Sequence, residues 1–334
     1  MTSDAPPDGT SRTGTGRTGT SRTGTSRRDS TGSSEADVLM SEEQHADLPT
    51  GVDICFQTFG RPTDRPLLLV MGLGGPMTWW PVDLCRRLAG EGFFVIRYDN
   101  RDTGHSTRLR DKRVSQGDLV KAFLGRRIDV PYSLRNLAED GIALLDHLDI
   151  SAAHVAGVSM GGMIAQTMAI EQPERVLSLT SIMSTTGRRS EGYQHPILLP
   201  AMLRRPIAGK AQYVAGTLKF SRLIGSPGYP EDEDTIVARA EETWSRGVNF
   251  RDTMRHMVAV VTQRDRTEGL RELTIPVTVV HGLNDKMVHV SGGRATARAI
   301  PGARLVLVPG MGHNLPAGLF DTFVEAITST ADRA

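Results

Sequence analysis

Ala153-His154-Val155-Ala156-Gly157-Val158-Ser159-Met160-Gly161-Gly162 is the stretch whose reading decides the fold. It opens as a short apolar run of strand length, and Met160 to Ile170 reads as a helix. Between the two lies Gly157-Val158-Ser159-Met160-Gly161, a G-x-S-x-G pattern in the strand, turn, helix context of a nucleophile elbow. A serine on so sharp a turn brings adjacent residues very close, and Gly157 and Gly161 provide the small neighbours it needs. The pattern alone is weak in a chain with 35 glycines, and the strand before it and helix after it are what give it meaning.

A serine hydroxyl is a poor nucleophile without a base in hydrogen-bond reach, so the elbow predicts an acid and then a histidine further along the chain. The strand-like run Val277 to Val280 leads into His281-Gly282-Leu283-Asn284-Asp285, which makes Asp285 the candidate acid. The last run, Leu305 to Val308, leads into Pro309-Gly310-Met311-Gly312-His313-Asn314, which makes His313 the candidate base. Both follow strands and so belong at the carboxyl edge of a sheet, where ligands bind. An acid after Val176 to Ile182 is the other possibility, but Ser184, Thr185 and Thr186 offer no carboxylate. Taken singly, His313 reads as an ordinary loop histidine and Asp285 as an Asx-turn residue; order and context set them apart.

Acyl transfer also requires donors for a developing oxyanion. The backbone N–H of Met160 is one by position. The glycine-rich loop Met71-Gly72-Leu73-Gly74-Gly75-Pro76 supplies the second, assigned to the N–H of Leu73. That loop is no dinucleotide fingerprint, because Met77 stands where the last glycine would be, and no P-loop or H-E-x-x-H metal motif occurs; no cofactor and no metal are expected. Asp99-Asn100-Arg101-Asp102-Thr103-Gly104-His105-Ser106 reads as a hydrogen-bonded turn buttressing the oxyanion loop, and Trp79 and Trp80 as core or groove lining. His147 falls in an amphipathic helix, His281 beside the acid loop, and His195 and His256 in an insertion from which a histidine could touch substrate.

Continuous apolar runs recur at Leu67 to Val70, Phe93 to Tyr98, Ala153 to Ala156, Val176 to Ile182, Val277 to Val280 and Leu305 to Val308, a pattern of parallel strands covered on both faces. Helical patterns (Pro81 to Leu88, Leu134 to Leu148, Met160 to Ile170) alternate with them, which means an α/β fold with a mostly parallel central sheet. Upstream, Val52 to Thr58 and the turn cluster Gly60 to Pro66 suggest a hairpin-like start. The rhythm breaks over 187–274, which is Met- and Leu-rich and mostly helical (Met202, Leu203, Met254, Met257) and reads as a cap. The expected division is a disordered tail over 1–36, core over 37–186, cap over 187–274 and core again over 275–334. In the tail, Ser-Arg-Thr-Gly-Thr repeats at Ser11 to Thr15 and Ser21 to Thr25.

With 334 residues and a net charge of +1, the chain offers no electrostatic reason to expect nucleic acid or a membrane as partner. Two cysteines, Cys55 and Cys85, cannot staple a secreted fold of this size, and no apolar stretch follows Arg27-Arg28 as a signal peptide requires. A cytoplasmic protein acting on a small molecule is expected.

At these residues the chain resembles the α/β-hydrolase superfamily, from about Val52 to the C-terminus. Met71-Gly72, the run Arg97 to Ser106 and Gly157 to Gly162 are similar to the branch that contains anthracycline methylesterases. The resemblance implies the α/β-hydrolase fold with a helical cap, and carboxylic-ester hydrolysis by Ser159, Asp285 and His313 with main-chain donors at Leu73 and Met160. It leaves the substrate open, because that superfamily also holds lactonases, carbon–carbon bond hydrolases and cofactor-free haloperoxidases. Epoxide hydrolases and haloalkane dehalogenases carry aspartate at the elbow, where this chain has Ser159. A ligand receptor on the same fold is the reading from outside enzymology, and an intact triad argues against it.

Overall fold

The structure, a computed structural model, describes residues 38–198 and 209–334. The tail expected over 1–36, and Met202 and Leu203 of the expected cap, lie outside the described residues. One sheet organises the rest, in the order β1 (Gln44–Leu48), β2 (Val52–Phe59), β4 (Phe93–Tyr98), β3 (Arg65–Val70), β5 (Ala153–Val158), β6 (Val176–Ile182), β7 (Val277–Gly282), β8 (Arg304–Val308). From β4 to β8 every pair is parallel, while β1 with β2 and β2 with β4 are antiparallel.

The parallel strands behave as their unbroken apolar sequences require. Leu67 and Leu69 of β3 enter one buried cluster with Val95 and Ala156, and Leu68 and Val70 enter the other, with Ile96 and Val155. Successive side chains of a strand point to opposite faces, so two cores demand two apolar faces. Strand β8 departs from this expectation: it forms the sheet edge and leaves Leu305 exposed. The start of the fold also differs. The hairpin turns at Pro49 to Gly51, whereas the turn cluster Gly60 to Pro66 leads into β3, which is parallel to both its neighbours. Strand β1 reads QHADL, with only Ala46 and Leu48 buried, too little hydrophobicity to announce a strand.

Helices α1 (Val82–Gly90), α3 (Leu134–His147) and α4 (Met160–Glu171) are the crossovers, and α2 (Gln116–Phe123) precedes α3. Helix α4 is buried without interruption from Met160 to Ala169, as its sequence, lacking a polar face, dictates. Between β6 and β7 stand α5 (Lys210–Ile224), α6 (Glu233–Ser245), α7 (Phe250–Val261) and α8 (Thr267–Arg271); α9 (Ser291–Ala299) and α10 (Phe320–Ala331) complete the core.

The turn after β4 fastens these layers together. Arg101 donates two hydrogen bonds of 2.6 Å to Asp140 of α3, with both side chains nearly inaccessible. Asp102 receives two from Arg255 of α7, at 2.6 and 2.7 Å, and one from the Tyr132 hydroxyl. Removing one partner of such a buried pair strands the other charge in a medium that solvates it poorly. Asp140→Ala is expected to lower the unfolding free energy by about 3–5 kcal/mol, read as a shift in urea midpoint. Asp332→Ala, which breaks the exposed Arg65–Asp332 pair, should change it by no more than about 1 kcal/mol.

Candidate active site

Ser159 sits between β5 and α4 with φ +56° and ψ −118°, a backbone conformation that a non-glycine residue adopts only when its surroundings force it. The forcing is visible. Ser159 N–H donates to the Ile182 carbonyl at 2.9 Å, and the Ser184 hydroxyl donates to the Ser159 carbonyl at 2.8 Å. A side chain on Gly157 would come within 2.2 Å of the Gly161 carbonyl oxygen, and one on Gly161 within 2.0 Å of the Val70 carbonyl oxygen. Both obstacles are backbone, so the elbow closes only with glycine at these positions.

His313 arrives on the loop after β8 with Nε2 3.0 Å from the Ser159 Oγ and Nδ1 2.7 Å from Asp285 Oδ2. Asp285 Oδ1 meanwhile accepts from the N–H groups of Met287 and Val288, at 2.8 and 2.9 Å. The Asx-turn reading of Asp285 and its reading as partner of His313 thus both hold, one for each carboxylate oxygen. Ser159, Asp285 and His313 are brought together in one hydrogen-bonded chain.

Of the two residues expected to supply oxyanion donors, one adjoins the serine and the other lies on a loop that passes beside it. Met160 opens α4 as the residue after Ser159, and the loop of Leu73 passes so close that a Cβ on Gly72 would lie 3.2 Å from the Ser159 Cβ and 3.8 Å from its Oγ. The turn after β4 props this loop as expected. Asn100 donates to the Met71 carbonyl at 3.0 Å, and Asp99 Oδ1 accepts the Met77 N–H at 2.6 Å. Trp80 is core, while Trp79 packs on Gly75 and its indole N–H donates to Thr243 of α6.

Several contributors have no motif to betray them. The His313 N–H donates to the carbonyl of Ile224 at the end of α5, at 2.7 Å; Gly312 N–H donates to the Ser226 hydroxyl, which donates to Asn314. The loop bearing His313 is therefore pinned to the insertion between β6 and β7. From the same insertion, Arg246 binds Asp99 and Glu43, and buried His256 reaches the loop of Leu73 at the Gly74 N–H. His195 lies exposed, its ring accepting the Ile197 N–H. His281 donates Nε2–H to the Val288 carbonyl at 2.8 Å and does not contact the serine.

Other reactive groups near the core are muted. Burial pushes the Cys85 thiol up to about 12 and raises Cys55 further, so neither exists as a thiolate nucleophile. Glu43, Cys55 and His105 place one potential ligand atom each within 4.8 Å of one another. The three are joined by hydrogen bonds: the Cys55 thiol donates to Glu43 Oε2 at 3.3 Å, His105 Nδ1 lies 2.8 Å from the same oxygen, and the Arg246 guanidinium engages the Glu43 carboxylate.

An elbow serine, a histidine and an aspartate at the carboxyl edge of a mostly parallel sheet define a class, and comparison with known proteins agrees with it. Residues 65–317 match the model of the alpha/beta hydrolase fold family, and the chain belongs to that family. It is 29% identical over 295 residues to rhodomycin D methylesterase DnrP of Streptomyces peucetius, covering 83% of this chain and 94% of that protein. It is 28% identical over 251 residues to 3-oxoadipate enol-lactonase 2 of Acinetobacter baylyi, covering 74% and 82%. Among solved structures, esterase RhEst1 from Rhodococcus sp. ECU1013 superposes with a TM-score of 0.65 over 87% of this chain and 99% of that one, at 19% identity, a likeness of fold.

The pinned histidine loop yields a test. A Cβ on Gly312 would stand 2.2 Å from the Gly225 carbonyl oxygen and 2.4 Å from that of Ile224, so Gly312→Ala must push the loop away from α5. A displacement of about 1 Å at a reacting group costs about 100-fold. Gly312→Ala is expected to lose about that much in ester turnover while keeping the far-ultraviolet circular dichroism of the wild type.

Proposed function

We propose that the chain is a serine hydrolase of carboxylic esters, acting on apolar small molecules through an acyl-enzyme on Ser159. The observation that carries this is the continuous hydrogen-bond chain from Ser159 Oγ through His313 to Asp285. In the reaction, His313 Nε2 takes the Ser159 proton as Oγ attacks the ester carbonyl, and the carbonyl oxygen becomes an anion held by the N–H groups of Met160 and Leu73. His313 then protonates the departing alcohol. The same ring deprotonates water, hydroxide attacks the acyl carbon, and Ser159 leaves with the proton returned. Asp285 holds the imidazole with its Nδ1–H pointing away from the serine and balances the imidazolium charge.

Similarity to a methylesterase over most of both chains supports an ester with a small alcohol as leaving group. The Met- and Leu-rich sequence of the insertion supports an apolar acyl side, and we read 187–274 as the cap that selects it. Free, buried Cys55 and Cys85 support a reducing, cytoplasmic setting, and no helix among the described residues is long and apolar enough to cross a membrane.

Incubation with a fluorophosphonate probe, followed by mass spectrometry of the modified peptide, tests the assignment. Label is expected on Ser159 and absent in Ser159→Ala and His313→Ala. Turnover of a p-nitrophenyl ester should fall by about 10⁴-fold or more in either variant. A folded wild type that takes no label refutes the acyl-enzyme and brings the receptor reading forward. For Asp285→Asn, the expected loss is about 10⁴-fold in kcat, because the amide would orient the imidazole in the wrong tautomer.

A further inference from the structure

We propose that His256 is a positioning residue for ester hydrolysis: it anchors the glycine-rich loop through the Gly74 N–H, and so fixes where the Leu73 N–H, one peptide earlier, stands relative to Ser159. The proposal rests on the reading of the chain as a serine ester hydrolase. His256 belongs to α7 in the insertion, whereas the loop it grips follows β3 of the sheet. Its ring is fully buried, with Nδ1 3.1 Å from the Gly74 nitrogen and Nε2 2.8 Å from the Arg101 carbonyl oxygen. A backbone N–H can only donate and a carbonyl can only accept. One ring state satisfies both: neutral imidazole with its hydrogen on Nε2 and a lone pair on Nδ1.

The clamped peptide is the middle of a tight turn. Gly75 N–H donates to the Gly72 carbonyl at 3.2 Å, which leaves Leu73 and Gly74 as the two central residues, and Gly74 has φ +66°. A positive φ at the third residue is the type II form; rotating the middle peptide over would give type I and change ψ at Leu73. The bond from Gly74 N–H to His256 is what opposes that rotation. The turn, and with it the position of the Gly72–Leu73 peptide that carries the Leu73 N–H, is thereby held by a side chain 182 residues from Gly74.

The surroundings keep the ring in the required state. The charged groups facing it are Asp102 of the turn after β4 and Asp252 and Arg255 of its own helix, while Arg101 meets it with its backbone carbonyl; the Tyr132 ring meets it edge-on at 6.1 Å. The loop side, Met71 to Pro76, contributes no charge. Asp102 and Asp252 are both tied to Arg255, and burial outweighs what remains of their pull, lowering the pKa of His256 below the ordinary histidine value. A protonated ring would turn Nδ1 from acceptor to donor and eject the Gly74 N–H.

Three substitutions test the clamp. Asparagine can place Oδ1 near the position of Nδ1 and accept from Gly74, glutamine can place its amide near Nε2 and keep only the Arg101 bond, and alanine keeps neither. With a p-nitrophenyl ester, His256→Gln and His256→Ala are expected to lose about 10- to 100-fold in kcat, with KM within about twofold. His256→Asn should recover most of that loss. Affinity for a trifluoromethyl ketone, whose adduct carries the oxyanion, should fall in parallel with kcat/KM across the series, a correlation that a merely structural role would not produce. Wild-type kcat in His256→Gln, or an equal loss in the Asn and Gln variants at matching melting temperatures, overturns the proposal; if the alanine variant does not fold, the Asn and Gln pair decides. These outcomes are read only after fluorophosphonate has labelled wild-type Ser159. Its failure to do so refutes the ester-hydrolase reading and the clamp with it, whereas a labelled wild type with indifferent His256 variants refutes the clamp alone.

Discussion

Everything at the candidate site depends on the backbone of Ser159 being held at φ +56°. That conformation is held by the hydrogen bonds of its own N–H to the Ile182 carbonyl and of its carbonyl with the Ser184 hydroxyl, and by the close passage of Gly161 under the Val70 carbonyl. Strain of this kind costs about 1–3 kcal/mol and persists only where neighbouring structure over-determines it. The neighbours here are β3, β6 and α4, elements with nearly complete burial. The buried sheet is therefore more than a core: it is the rigid frame against which one residue can be held in an unfavourable state, with its Oγ 3.0 Å from His313 Nε2.

A second constraint works through charge. Four consecutive residues after β4 tie different layers to one another: Asp99 and Asn100 support the loop of Leu73, Arg101 holds α3, and Asp102 holds α7. Asp99 also binds Arg246, and the Arg101 carbonyl receives His256, so the insertion is bolted to the core at the same turn that props the loop of Leu73. The insertion reaches the other half of the site as well, through Ile224 and Ser226 against the His313 loop. The insertion is thus fastened to both the loop of His313 and the loop of Leu73, the two loops that approach Ser159.

The sequence made legible what local rules govern. The runs at Phe93 to Tyr98 and Val176 to Ile182 coincide with β4 and β6, because strands buried on both faces are apolar along most of their length, with buried polar residues such as Arg97 and Ser181 finding hydrogen-bond partners. Ser159, Asp285 and His313 could be singled out because each follows a strand and the elbow announces itself in five residues. Strand β1 escaped since its pairing with β2, not its hydrophobicity, makes it a strand. His256 and Ser226 escaped for a different reason. Their partners are backbone groups 182 and 86 residues away, and a backbone N–H or carbonyl leaves no trace in side-chain pattern. The same holds for the tightness around Gly312, where the obstacle is the carbonyl backbone of Ile224 and Gly225.

Asp285 illustrates how burial sorts apparently equivalent groups. Two histidines approach its Oδ2, His313 at 2.7 Å and His281 at 3.5 Å, and a charged His281 would compete for the carboxylate that orients the base. His281 is wholly inaccessible, and desolvation lowers its pKa against the raising influence of Asp285 itself. Its Nε2–H is already given to the Val288 carbonyl, in the same turn that Asp285 Oδ1 closes through Met287 and Val288. The neutral ring thus stiffens the loop carrying the acid without drawing on its charge. His313, the one with a path to Ser159, keeps that charge to itself, and the division follows from which ring the fold leaves beside the serine and which it seals beneath α9 against Gly293.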